Sequence, residues 1–187
     1  WSARADLALG QRARAEKTLA VVATQREYYG FLAADRLGLS YQLNHAPVNV
    51  GAAELDAVSR SPALRRAHEL LRLDRPVAAR REWFFWLDRA TPSQTAAGAL
   101  LAARWKWFSM PIHSLARIRS FDDLSLRFPV AYRAQVERNA VMLKLEPSWV
   151  FAVMRRESAF DLYSRAVDQA REPAFFGALG VPDTVDG

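Results

Sequence analysis

The sequence predicts an all-α protein, and three observations carry that assignment. Alanine, leucine and arginine fill the segments between prolines and glycines, and all three favour helix. Apolar residues recur at steps of three and four rather than two. No convincing pair of strand-like runs is present. Hydrophobic residues make up 51% of the 187, which is enough for a packed core and excludes a disordered chain.

Taken in order, helices are expected near 2–9, 11–23 and 26–37, the last ending at Gly38. The small residues Ala20, Gly30, Ala33 and Ala34 suit close approach between antiparallel helices of the kind that stack into solenoids. Too few repeats are present to set a period. The stretch LSYQLNHAPVNVG, residues 39–51, reads as irregular because it contains Pro47 and ends in Gly51. Helices resume at 52–59 and 62–73, with Ser61 as a cap and Pro62 in the first turn.

Another helix is expected over 76–89. Thr91, Pro92 and Gln94 form a capping-box start for the next, which should reach about Phe108. Met110 and Pro111 open a helix to about Arg119. Segments 121–127, 131–144 and 147–159 complete the series, with Pro129 and Pro147 as boundaries. The aromatics of REWFFWLDRA and ARWKWFSM occur at helical spacing and read as core. Trp105 and Trp107 cannot face the same way, so one of them is expected at the surface, where it could pack against another domain or a sugar.

Lysine and arginine total 26 against 20 aspartates and glutamates, a net charge of +6. The basic residues are spread out, so they read as a solvated surface; a nucleic-acid partner would have the charge alone to support it, and none is expected. Cysteine is absent, which excludes disulfides and thiol metal sites. His45, His68 and His113 lack ligand spacing, so neither a metal nor another cofactor is expected. No stretch approaches the roughly 18 uninterrupted apolar residues of a membrane span. The opening WSARADLALGQRARAEK has no secretory signal and reads as a start inside a longer protein.

One stretch carries chemistry. In PSWVFAVMRRESAF, residues 147–160, helical spacing puts Val150, Val153, Met154 and Glu157 on one side. Two readings compete for Glu157. It is either a helix-edge carboxylate in solvent or paired with an arginine, or a carboxyl partly withdrawn from water, able to hold a proton and act as a general acid. Ser158 has a local bond to the preceding turn as its plain role, and Phe160 reads as core.

These residues resemble a known family, the soluble lytic transglycosylases of Gram-negative bacteria, which cleave peptidoglycan glycan strands. EYYGFLAADRLGLSYQLNHAP resembles the end of the family's helical superhelix, and LSLRFPVAYRAQVERNAVMLKLEPSWVFAVMRRESAF the start of its lysozyme-like catalytic domain. The helices between resemble the linker domain. The resemblance implies a superhelix end over 1–60, a helical linker over 61–125 and an incomplete lysozyme-like domain over 126–171. It implies Glu157 as catalytic acid and base, Ser158 as the motif serine that orients it and Phe160 as the motif aromatic. Arg155 and Arg156 fall where the family tolerates polar residues and are expected to be solvated. Peptidoglycan is the implied partner and the periplasm the implied location.

The resemblance stops after Arg171. In register, a G-L-M-Q segment should begin at Glu172, where the sequence is EPAF. A shifted reading frame with an early stop accounts for this, with fusion to foreign sequence as the alternative. Residues 172–187 are expected to be the least ordered, and the chain to have little activity without the rest of a cleft. The competing functional class is a non-catalytic helical-repeat interaction module, in which Glu157 is a surface residue.

Overall fold

Proline and glycine punctuation sets the helix limits seen in the computed structural model, which describes residues 1–161. Among the described residues every regular element is helical. They are α1 (Ser2–Ala8), α2 (Arg12–Val22), α3 (Tyr28–Leu37), α4 (Ala52–Ser59), α5 (Pro62–Arg72), α6 (Pro76–Leu87), α7 (Pro92–Arg104), α8 (Ser109–Arg117), α9 (Leu124–Arg127), α10 (Arg133–Met142) and α11 (Pro147–Glu157). The expected all-α class is found. Residues 172–187 lie outside the described residues.

The chain divides into two compact units, Trp1–Ala46 and Pro47–Gly187. In the first, α2 packs on both α1 and α3. Small residues make this possible: Ala23, Ala33 and Ala34 are buried together, with Leu19 and Val22 against them. Ala20 is exposed, contrary to expectation, and Ala15 is the buried small residue of α2 instead. Gly30 is required by space, since a Cβ there would meet the Gln25 carbonyl oxygen at 1.9 Å. Gly38 ends α3 in the left-handed conformation at φ 65°, which glycine adopts without strain. The irregular stretch after it is tied down by polar bonds: Arg26 Nη1 donates to the Leu43 and Asn44 carbonyls at 2.9 and 3.2 Å, and Asn44 Nδ2 to that of Thr24 at 3.1 Å.

In the second unit, α5 packs on α6, α7 on α4 and α8, and α10 on α11. Trp83 is the centre of the largest core, with Leu64, Leu87, Ala97, Trp107 and Met110 around it. Its indole N–H would be costly to bury unpaired, and it donates to Ser114 Oγ at 3.2 Å. Trp107 is buried here while Trp105 is half-buried and stacks on His68 with 4.3 Å between ring centroids, so the two tryptophans diverge as their spacing requires.

The capping box of α7 forms as expected, with Gln94 N–H donating to Thr91 Oγ1 at 3.2 Å and Thr91 N–H to Gln94 Oε1 at 2.9 Å. Ser61 stands at the N-cap of α5 but makes no side-chain cap bond; Pro62 alone matches its expected place. Most helices end within a residue or two of the expected limits, and α7, α9 and α10 are shorter by three residues or more. α7 stops at Arg104 because Lys106 takes φ 60° and turns Trp107 into the core. α9 is a single turn, started by Asp123, whose carboxylate accepts the Leu126 N–H at 3.1 Å. α10 starts after Tyr132, which sits at φ 57°.

Candidate active site

Helix α11 carries the candidate carboxylate at its last residue. Pro147 occupies the first turn, and Glu146 accepts the Ser148 N–H at 3.4 Å at the start. Glu157 is exposed, and no residue of α11 is buried. Of the expected apolar face, Val150 and Met154 are part-buried, whereas Val153 is 40% exposed, and Trp149 one turn before it is 59% exposed. The Glu157 side chain has no hydrogen bond or ion pair to another described residue, so of the two forms of the helix-edge reading it takes the one in solvent.

Beyond Glu157 the chain turns sharply. Ser158 caps the helix, its N–H and its Oγ both directed at the Met154 carbonyl, each at 3.1 Å. This is the local bond of the plain reading. Ala159 and Phe160 follow at φ 48° and 61°, and Asp161 N–H donates to Ser158 O at 2.9 Å. Phe160 is 4% exposed, buried with Ile112 and Ala131, with Phe108, Tyr132, Phe151 and Met154 against this cluster. Its core role is observed.

The far end of the turn meets a group of cations that sequence reading missed. The Asp161 carboxylate forms an ion pair with Arg80 of α6 and is nearly buried. Arg155 Nε donates to the Arg127 carbonyl at 2.7 Å, and Arg127 Nη1 to the Ile112 carbonyl at 2.7 Å. Arg155 is part-buried over the Phe128 ring, not solvated as expected; burial first, and the Arg127 charge second, lower its pKa. Arg156 is exposed, as expected. His113 lies among these groups, its pKa lowered by burial and then by Arg80, Arg155 and Arg127. No sequence signal marked this cluster, because its members come from segments 33 or more residues apart from Arg80 and share no helix face.

Two open grooves lie elsewhere in this unit. One of about 550 Å³ is lined by Pro62, Arg65, His68, Glu69, Leu101 and Trp105, and a second of about 300 Å³ by Phe85, Trp86, Arg89 and Gln94 among others. Neither includes a residue of α11. Among the described residues no helix is long and apolar enough to cross a membrane.

Residues 57–124, which hold α5 to α8 and most of the Trp83 core, match the family model for the soluble lytic murein transglycosylase L domain. The soluble lytic murein transglycosylase of Escherichia coli K12 is 29% identical over 163 residues, 86% of this chain and 25% of that protein. An X-ray structure of an inactive Glu-to-Gln mutant of the lytic transglycosylase Slt from Pseudomonas aeruginosa superposes with a TM-score of 0.79 at 30% identity. It covers 99% of this chain and 32% of its own. A 70-kDa soluble lytic transglycosylase in complex with bulgecin A gives 0.75 at 29% identity, over 85% of this chain and 25% of its own. The chain thus spans between a quarter and a third of the length of these relatives. By sequence and by fold over most of its length, it is a relative of the soluble lytic murein transglycosylases.

Proposed function

We propose that the chain is part of a peptidoglycan lytic transglycosylase that acts in the periplasm, with Glu157 as its catalytic acid and base. The observation that carries this is the position of Glu157: the last residue of α11, followed by Ser158, Ala159 and a buried Phe160, in a chain related to lytic transglycosylases. In this reading 1–60 is a superhelix end, 61–125 a linker domain and 126–171 the start of the catalytic domain. Peptidoglycan glycan strands are the substrate.

The chemistry follows from using one carboxyl where ordinary glycosidases use two. Protonated Glu157 gives its proton to the glycosidic oxygen between N-acetylmuramic acid and N-acetylglucosamine. The N-acetyl group stabilises the positive charge that develops at the anomeric carbon. Glu157, now a carboxylate, takes the proton of the muramoyl 6-hydroxyl, and that oxygen bonds to the anomeric carbon. One bond breaks, one forms, and no water is consumed. Ser158 helps to orient the carboxylate in this scheme, through the turn whose backbone it caps.

The exposure of Glu157 among residues 1–161 supports a second part of the proposal: this chain alone turns over little or not at all. A general acid needs a partner surface that orients the substrate and limits water. The test compares the chain with a version continued in frame after Arg171 by a G-L-M-Q lobe, on purified peptidoglycan with mass spectrometry of released sugars. The continued protein should release 1,6-anhydromuropeptides, and Glu157→Gln in it should abolish release. Full activity of that variant would remove Glu157 from the mechanism.

A further inference from the structure

We infer that Arg80 is a positioning residue for Glu157, acting from the linker helices through Asp161. The inference rests on the proposed role of Glu157 and adds what holds that residue in place. Helix α11 packs mainly on α10. What joins its C-terminal half to α6 and α8 is a set of side chains: Phe151, Met154 and Phe160 in the cluster of Ile112, and Asp161 against Arg80. Phe160 and Asp161 come from the turn immediately after Glu157.

That turn needs holding. Ala159 and Phe160 are consecutive non-glycine residues in the left-handed region, which L-residues occupy when the surroundings enforce it. Phe160 supplies one anchor by burial. Asp161 supplies the other, its carboxylate nearly buried against Arg80, four residues from Glu157. With both ends fixed, the Ser158 and Asp161 amides keep their bonds to Met154 and Ser158, and the direction of the last turn of α11 is set.

The charges around the pair explain why Asp161 suits its place. Arg80, Arg127, Arg155 and His113 face this region from α6, α9, α11 and α8, and each of the three arginines acts on His113 to disfavour its cation. Arg80 Nε is buried without a hydrogen-bond partner among the described residues, so the ion pair with Asp161 is what offsets the burial of this guanidinium. Asp161 brings negative charge to a cationic cluster. Without it the arginines repel one another, Arg80 gains by moving outward, and the turn loses its tether.

The test uses the full chain and amide hydrogen exchange, with Arg80→Gln, Arg80→Lys and Asp161→Asn. In Arg80→Gln and Asp161→Asn, exchange at the Ser158 and Asp161 amides should rise by about tenfold, while the Trp83 and Leu101 amides stay at the wild-type rate. Arg80→Lys, which keeps the charge, should recover most of the protection. The carbon-13 resonance of the Glu157 carboxyl should move in Arg80→Gln and return towards wild type in Arg80→Lys. Asp161→Asn leaves α6 intact and gives the same reading if Arg80→Gln does not fold. Unchanged exchange at Ser158 and Asp161, an equal rise throughout the unit, or a Glu157 resonance that ignores Arg80 would each overturn the inference. None of these readouts uses turnover, so they fail or succeed separately from the glycan-cleaving reading.

Discussion

Asp123→Ala should be among the costliest single changes in the second unit, and its cost can be worked from the bonds it removes. Asp123 is 2% exposed. One carboxylate oxygen accepts the Val48 N–H at 2.8 Å, and the other accepts the Leu126 N–H at 3.1 Å and the Ser125 hydroxyl. It therefore ties the chain leaving the irregular stretch to the single turn of α9. Loss of the cap at Leu126 costs about 1 kcal/mol. Leaving the part-buried Val48 N–H without its acceptor costs about 1–3 kcal/mol. The sum is about 2–4 kcal/mol, a large fraction of a domain stability of about 5–15 kcal/mol.

The effect should extend to the site, because the Arg127 carbonyl at the end of α9 accepts the Arg155 Nε–H. The assay is urea unfolding followed by tryptophan fluorescence, which reports the second unit through Trp83, Trp86, Trp105, Trp107 and Trp149, with Trp1 alone in the first. Asp123→Asn serves as a control: its oxygen caps α9 as well as an aspartate does, but its amide faces the Val48 N–H. It should lose the Val48 part alone, about 1–3 kcal/mol. A midpoint for Asp123→Ala equal to wild type, at equal slope, would refute the reasoning.

Two further outcomes follow from particular contacts. Gly30→Ala should destabilise the first unit by about 2 kcal/mol or more, since its Cβ would meet the Gln25 backbone carbonyl, which cannot swing aside; a thermal melt by circular dichroism with hydrogen exchange over α3 measures it, and wild-type protection there would count against the packing. His113 has its pKa lowered by burial and three arginines, so the unfolded chain takes up this proton more readily than the folded one. Its contribution is complete above the ordinary histidine value of about 6.5 and is lost as pH falls below it towards the folded value. Wild type should lose stability faster than His113→Gln over that window, by at most about 1.4 kcal/mol per pH unit, and parallel curves would contradict it.

Helix limits were legible in the sequence where a local signal set them. Pro62, Pro76, Pro92 and Pro147 each open a helix, and the Thr91–Gln94 box closes as its spacing demands. Limits were missed where one residue took a left-handed backbone for a tertiary reason, as Lys106 does in turning Trp107 inward and Tyr132 before α10. The site divides along the same line. The E-S-A-F motif is contiguous and was readable, whereas the Arg80–Asp161 pair joins residues 81 apart and has no spacing to read. Arg155 looked solvated because its neighbour Arg127 is 28 residues away and arrives only with α9 folded.

Two features of α11 have one physical cause. Trp149 and Val153 leave apolar surface in water on the same helix that ends in an exposed Glu157, and Val141 and Met142 do the same at the end of α10. Residues 1–161 thus supply the helix and its anchor, but no wall opposite them. An apolar strip of this kind is a face that gains from being covered, at about 25 cal/mol per Å² removed from water. A G-L-M-Q lobe continued in frame after Arg171 should cover the strip and the carboxylate together, since it follows in the chain the turn held by Phe160 and Asp161. Trp149 reports this without any assay of turnover: with Trp149→Phe as the reference, its emission should shift to the blue and its quenching by acrylamide fall on adding the lobe. If the lobe restored glycan cleavage while Trp149 stayed as accessible as before, the strip and the acid would have separate causes, and the uncovered face of α11 would need another occupant.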